Sequence, residues 1–192
     1  MTAKWIFGCT ILVGLNVRAQ ECGWKGEPLV EVHLENDMMV PAIILNQAKG
    51  IASGMFSSIG IRVEWKEGVP RPAAQPAACE ARANEVLAVE FDEEVDVRFT
   101  GDAFGYAVPG EPGAAIHIFY RRVAASMPYM TAVLLGHVMA HEITHMLEGV
   151  ARHSEEGVMK AHWTSQDYNQ MAMHPLPFEE EDVEMVRTSL GL

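Results

Sequence analysis

The sequence predicts one α+β domain. Its parts are a mixed twisted sheet, a scaffold helix, a second helix sunk deeper in the core, and a small C-terminal subdomain ending in a helix. Three observations predict it. Pro28 to Leu34 and Ile61 to Trp65 alternate apolar and polar residues, as half-buried strands do. Between them Ile44, Ala48, Ile51, Met55 and Ile59 recur at helical spacing. The stretch from Thr131 to Leu147 is apolar on nearly every side, as a buried helix must be.

The chain opens with a segment that reads as an export leader. Lys4 gives a positive start, Trp5 to Val17 an apolar run, and Val17-Arg18-Ala19 a small-x-small cleavage site. The domain proper is then expected over 20–192, in the periplasm or the medium. The apolar run is too short to span a bilayer and no stop-transfer run follows. Cys9 lies inside that run and no lipobox precedes Cys22, so a lipid anchor is not expected. The 192 residues carry 14 basic and 26 acidic side chains. Removing Lys4 and Arg18 leaves 12 against 26, a net charge of −14. Such a balance disfavours nucleic acid and anionic membranes as partners, and a soluble monomer is expected. Cys22 and Cys79 remain after processing and form the candidate disulfide in an oxidising compartment. Closing a loop of that length stabilises by about 4 kcal/mol in the chain-entropy model. A second role for Cys22, as a thiolate capping a metal, stays open.

Within the domain, Asn36-Asp37 are placed to cap the scaffold helix, which starts near Val40-Pro41 and stops at Gly60. Val69 to Ala78, with Pro70, Pro72 and Pro76, reads as a loop. Val86 to Phe91 is apolar enough for an inner strand, and Val95 to Thr100 is a weaker strand. The segment 101–113 is long and glycine-rich, with a short edge strand in Phe104 to Val108. Ala114 to Phe119 is an apolar strand. Near the end, 166–177 reads as irregular, and Phe178 to Leu190 as a closing helix with Val183, Val186 and Leu190 on its buried face. The acids at 179–182 suit a helix start, where the macrodipole favours anions.

The chemistry is concentrated in His141-Glu142-Ile143-Thr144-His145. On a helix, residues i and i+4 share a face, so both imidazoles can meet one metal ion. Glu142 lies about 100° further round, where it can reach a metal-bound water without being a ligand. That is the arrangement of a zinc hydrolase, with two ligands and a general base. Leu147-Glu148-Gly149 ends the helix, with Gly149 suited to a left-handed turn. The chain can then return His153 to the same ion.

The run from His141 to Met159 resembles a metzincin-type zinc metallopeptidase. It departs from that clan's usual H-E-x-x-H-x-x-G-x-x-H spacing. Gly149 stands four residues after His145 instead of three, and His153 eight after instead of six. The segment Gly157-Val158-Met159 is similar to the Met-turn under the zinc. A looser similarity joins the chain to small secreted bacterial proteins with H-E-x-G-H-x-L-x-G-x-x-x-H-S followed by G-[IV]-M-x-x-x-W, matched here by Met159-Lys160-Ala161-His162-Trp163. The resemblance implies a metzincin-like fold, one Zn2+, and a peptide or protein substrate whose backbone pairs with the Phe104–Val108 edge. It also implies ligation by His141, His145 and His153, a packing role for Met159, and Glu142 as base.

Two other readings stand beside it. In one, Glu155 or Glu156 replaces His153 as third ligand, in the gluzincin manner. In the other, the chain is a secreted zinc-binding or peptide-binding module without turnover. His137 shares the ligand face, but three successive turns cannot all meet one ion at about 2.1 Å. It is expected in the core or behind the ligands. His162 and Trp163 are candidates for substrate contact, while His33, His117 and His174 are expected to be structural.

Overall fold

The computed structural model describes residues 28–70, 84–92, 103–111 and 113–192. The leader, the Cys22–Cys79 pair, all but the start of the proline-rich loop and the Val95–Thr100 strand lie outside the described residues. The strands are β1 (Leu29–Glu35), β2 (Arg62–Glu67), β3 (Asn84–Phe91), β4 (Gly105–Tyr106) and β5 (Ala115–Ile118). The helices are α1 (Ala42–Ser58), α2 (Tyr120–Ser126), α3 (Thr131–Glu148), α4 (Ser165–Met171) and α5 (Glu180–Ser189). The strands form a mixed sheet in the order β2-β1-β3-β5-β4. All neighbours are parallel except the edge pair β4/β5. The α+β class and the elements that define it are as the sequence predicts.

One face of the sheet makes the core. Val30, Val32 and Leu34 of β1 are buried, while the alternating Glu31, His33 and Glu35 are half-buried. Leu87, Val89 and Phe91 of β3, with Ile116 and Ile118 of β5, continue that face. Leu45, Ala48, Ala52, Met55 and Phe56 of α1 lie in the same cluster, and α1 packs along α3. Each such Leu, Ile, Val or Phe contributes about 1.5–3 kcal/mol when taken from water. Consequently α3 has solvent on almost no side. Its residues 134–145 are all buried, polar ones included.

The structure corrects four details. Pro41 is the N-cap of α1 and no side chain caps it. Asn36 instead closes the turn before the helix, accepting from the Val40 N–H (2.8 Å) and donating to the Val40 carbonyl (3.1 Å). The segment expected to be irregular contains α4, and α2 was not expected. Each has seven residues and one buried apolar side chain, Val123 or Met171, too little to show a period. A signal for α4 was present: Thr164 and Asp167 form a capping box, the S/T-x-x-D/E pattern. Finally, α5 starts at Glu180, and its buried residues include Asp182 as well as Val186. Val183 is only half-buried.

Candidate metal centre

Helix α3 places the first two ligands. His141 and His145 are 8% and 6% exposed, and their Nε2 atoms lie 3.0 Å apart. Two nitrogens on one tetrahedral zinc at 2.0–2.1 Å stand about 3.3 Å apart, so this pair is already spaced for one ion. Gly149 ends the helix in the left-handed region at φ 71°, and the chain turns back. His153 thereby packs against both rings, with centroids 5.3 Å from His141 and 5.0 Å from His145. One ring nitrogen from each of the three histidines lies within 4.8 Å of the others. These residues fit a zinc ion. Glu155 and Glu156 are exposed and belong to no such group among the described residues.

A hydrogen bond decides which nitrogen of the His141 ring is free. His141 Nδ1 lies 2.8 Å from the Val158 carbonyl, which can only accept, so Nδ1 carries the proton and Nε2 keeps its lone pair. The carbonyl belongs to Gly157-Val158-Met159, whose side chains at 158 and 159 are fully buried. Val158 N–H in turn donates to the Pro177 carbonyl at 2.8 Å. Gly157 is required there. Its φ is 71°, and a β-carbon would run into the Pro177 carbonyl. His145 Nδ1 is buried without a hydrogen bond of normal geometry. His137 is spent otherwise: Nδ1 donates to the Val133 carbonyl (2.8 Å) and Nε2 accepts from the Leu176 N–H (3.1 Å). It is a core histidine that ties the C-terminal segment to α3.

Burial sets the charge states. It pushes the His141 pKa down to about 3, with repulsion from His145 adding to the effect. It pushes His145 down to about 4, His153 adding to it. Burial also lowers His153, helped by His162. All three are therefore neutral at physiological pH, the form that ligates metal. Burial pushes Glu142 up to about 8. A nearby divalent cation reverses that tendency by favouring the carboxylate. The Glu142 side chain lies under β4: a β-carbon on Gly105 would stand 3.3 Å from its Cγ and Oε1.

A cleft of about 950 Å³ opens over these groups. Gly105 and Tyr106 of the edge strand line it, with Phe104, Met127, Tyr168 and Lys160. His162 is exposed and lines the cleft. Trp163 also lines it, stacked on Phe104 (6.4 Å) and edge-on to His141 (5.8 Å). The remaining histidines pair elsewhere: His33 with Glu31, His117 with Asp92, and His174 with the Pro175 carbonyl. Asp92, Glu90 and His117 form a second group of metal-type side chains, half-exposed and paired with one another. Sequence reading missed one more charged group. Glu148, the last residue of α3, has a fully buried side chain with neither oxygen hydrogen-bonded among the described residues. Arg152 stands 3.9 Å from it.

A mixed sheet under two packed helices, with three histidines converging below an antiparallel edge strand, defines a metzincin-like α+β fold with a site able to hold zinc. Among solved structures the chain is similar to archaemetzincin from Methanopyrus kandleri. The TM-score is 0.52, over 88% of this chain and 99% of that chain. At 15% identity the likeness is one of fold. No family model matches the sequence, and no curated protein matches it.

Proposed function

We propose that this chain is an exported, zinc-dependent peptidase. The observation that carries the reading is the convergence of three neutral histidine nitrogens beside the buried Glu142, at the floor of a cleft walled by an edge strand. His141, His145 and His153 hold the ion. Zinc bound there supplies Lewis acidity to water and to the substrate carbonyl. Glu142 takes the proton from the attacking water as the new C–O bond forms. It then passes that proton to the amine as the C–N bond breaks. β4, the last strand of the sheet among the described residues, borders the cleft and accepts the substrate backbone by strand addition, which aligns the scissile carbonyl over the histidines. His162 and Trp163 border the bound peptide. Met159 is packing beneath the site. The substrate is a peptide or protein, and the location is the periplasm or the medium.

The gluzincin-type alternative has no support from geometry, since Glu155 and Glu156 belong to no ligand group among the described residues. A non-catalytic zinc module is separated from a peptidase by one experiment: metal content and turnover of a mixed peptide library, measured together on the wild type and on Glu142→Gln. Stoichiometric zinc with turnover only in the wild type is the expected result. Zinc without turnover in either protein would remove the peptidase and leave the binding module.

A further inference from the structure

The spacing from His145 to His153 is two residues longer than in the metzincin pattern, one of them in the return after Gly149, and His153 itself is exposed. Each residue that must be ordered costs backbone entropy. One anchor is local, the Ser154 N–H donating to the Met159 carbonyl at 2.9 Å, and a second comes from α5. Asp182, in the first turn of α5, is fully buried. Its Oδ1 accepts from Arg152 Nη2 and from Ser154 Oγ, both at 2.5 Å. Those are the residues immediately before and after His153. Its Oδ2 accepts from the Glu179 N–H at 2.9 Å. A helix start uses only that last bond, so the cap accounts for one oxygen and leaves the other for the loop. A second tie runs beside it, from the Glu156 N–H to Glu179 Oε1 at 2.7 Å. Taking a carboxylate out of water is costly unless it is paired and hydrogen-bonded, and here it is both.

We propose that Asp182 is a positioning residue for the third metal ligand. Through the side chains of Arg152 and Ser154 it holds the residues on both sides of His153, so the docking of α5 sets how tightly the site holds zinc. This rests on the reading that His153 is a ligand. Outer groups that orient a ligand typically contribute 10–100-fold in metal affinity.

The experiment is a competition titration of zinc alone, against a chromophoric chelator, on the full chain. Wild type, Asp182→Asn, His153→Ala and the double variant form a cycle. Asp182→Asn is expected to weaken zinc about 10-fold, within the range for such groups. In the His153→Ala background it is expected to change nothing beyond about 2-fold, because a group acting through His153 has nothing left to act on. Ser154→Ala and Arg152→Gln each remove one bond to Oδ1, and carry the same test if Asp182→Asn does not fold. Wild-type affinity in all of these variants, with a clear loss in His153→Ala, would overturn the clamp alone. An equal loss with and without His153 would show that Asp182 supports the whole fold and not the ligand. If His153→Ala itself binds zinc like wild type, the three-histidine reading fails, and this proposal with it.

Discussion

His141 and His145 stand one turn apart on a helix with almost no exposed flank, whereas His153 is exposed on an irregular return between Gly149 and the turn at 157–159. Rigidity in the first pair is inherited. The helical repeat sets their separation, and the sheet and α1 hold the helix. Position in the third ligand is borrowed from outside, from Asp182 and Glu179 of the closing helix. A centre built this way has a permanent half and a conditional half. The edit that removes a ligand from the permanent half should therefore cost more than the same edit in the conditional half.

That contrast can be broken directly. His141→Ala is expected to abolish stoichiometric zinc, a loss beyond about 100-fold, the upper end of what outer groups cost. His153→Ala should cost less and leave a weak two-histidine site. Zinc titrations on both variants decide it, and an affinity order with His153→Ala the weaker binder would reverse the comparison. The base is expected to separate from the ligands. Glu142→Gln should retain zinc while peptide turnover falls at least about 100-fold, the lower end for a general base. Turnover within tenfold of wild type removes Glu142 from that role.

The junction of the two halves offers a pH test. Burial pushes Glu148 up to about 7, against an ordinary 4.5. Its folded pKa is raised, so the unfolded chain gives up this proton first. The contribution to stability is present below about pH 4.5 and is lost as pH rises through 7. Glu148→Gln should therefore raise the melting temperature at pH 8, by an amount corresponding to about 1–3 kcal/mol. At pH 5 it should change little. A shift of equal size at both pH values would mean that ionisation is not the cause. The smallest effect belongs to Met159, which is fully buried. Met159→Leu should keep zinc and most turnover, costing under about 1.5 kcal/mol in a melt. Loss of zinc from a folded Met159→Leu protein would point to the sulfur as a ligand.

Much of this was legible in the chain because it is local. Periods of two and of 3.6 residues mark β1, β2, α1 and α3, and Gly149 marks the stop of α3. The edge strand could be read from Phe104 to Val108, although only Gly105–Tyr106 pairs with β5. Short elements escaped, since α2 and α4 bury one residue each and show no period. Asp182 escaped for another reason. Among four consecutive acids at 179–182 it looks like one more solvated helix-start charge, and only its neighbours in space make it different.

By itself, then, the sequence determined the pair of imidazoles on one face, the carboxylate beside them, and the class of fold that could bury such a helix. These depend on the geometry of a single helix and on apolar spacing, both of which are written in adjacent residues. Tertiary structure alone decided the strand order β2-β1-β3-β5-β4, the arrival of His153 beside the pair, and the spending of both His137 nitrogens in the core. It also decided which nitrogen of His141 is free, through the Val158 carbonyl, and what holds His153, through Asp182. The bonds involved join residues 17, 30 and 39 positions apart. No local period encodes a contact at that distance; it forms only once the core has folded the segments together.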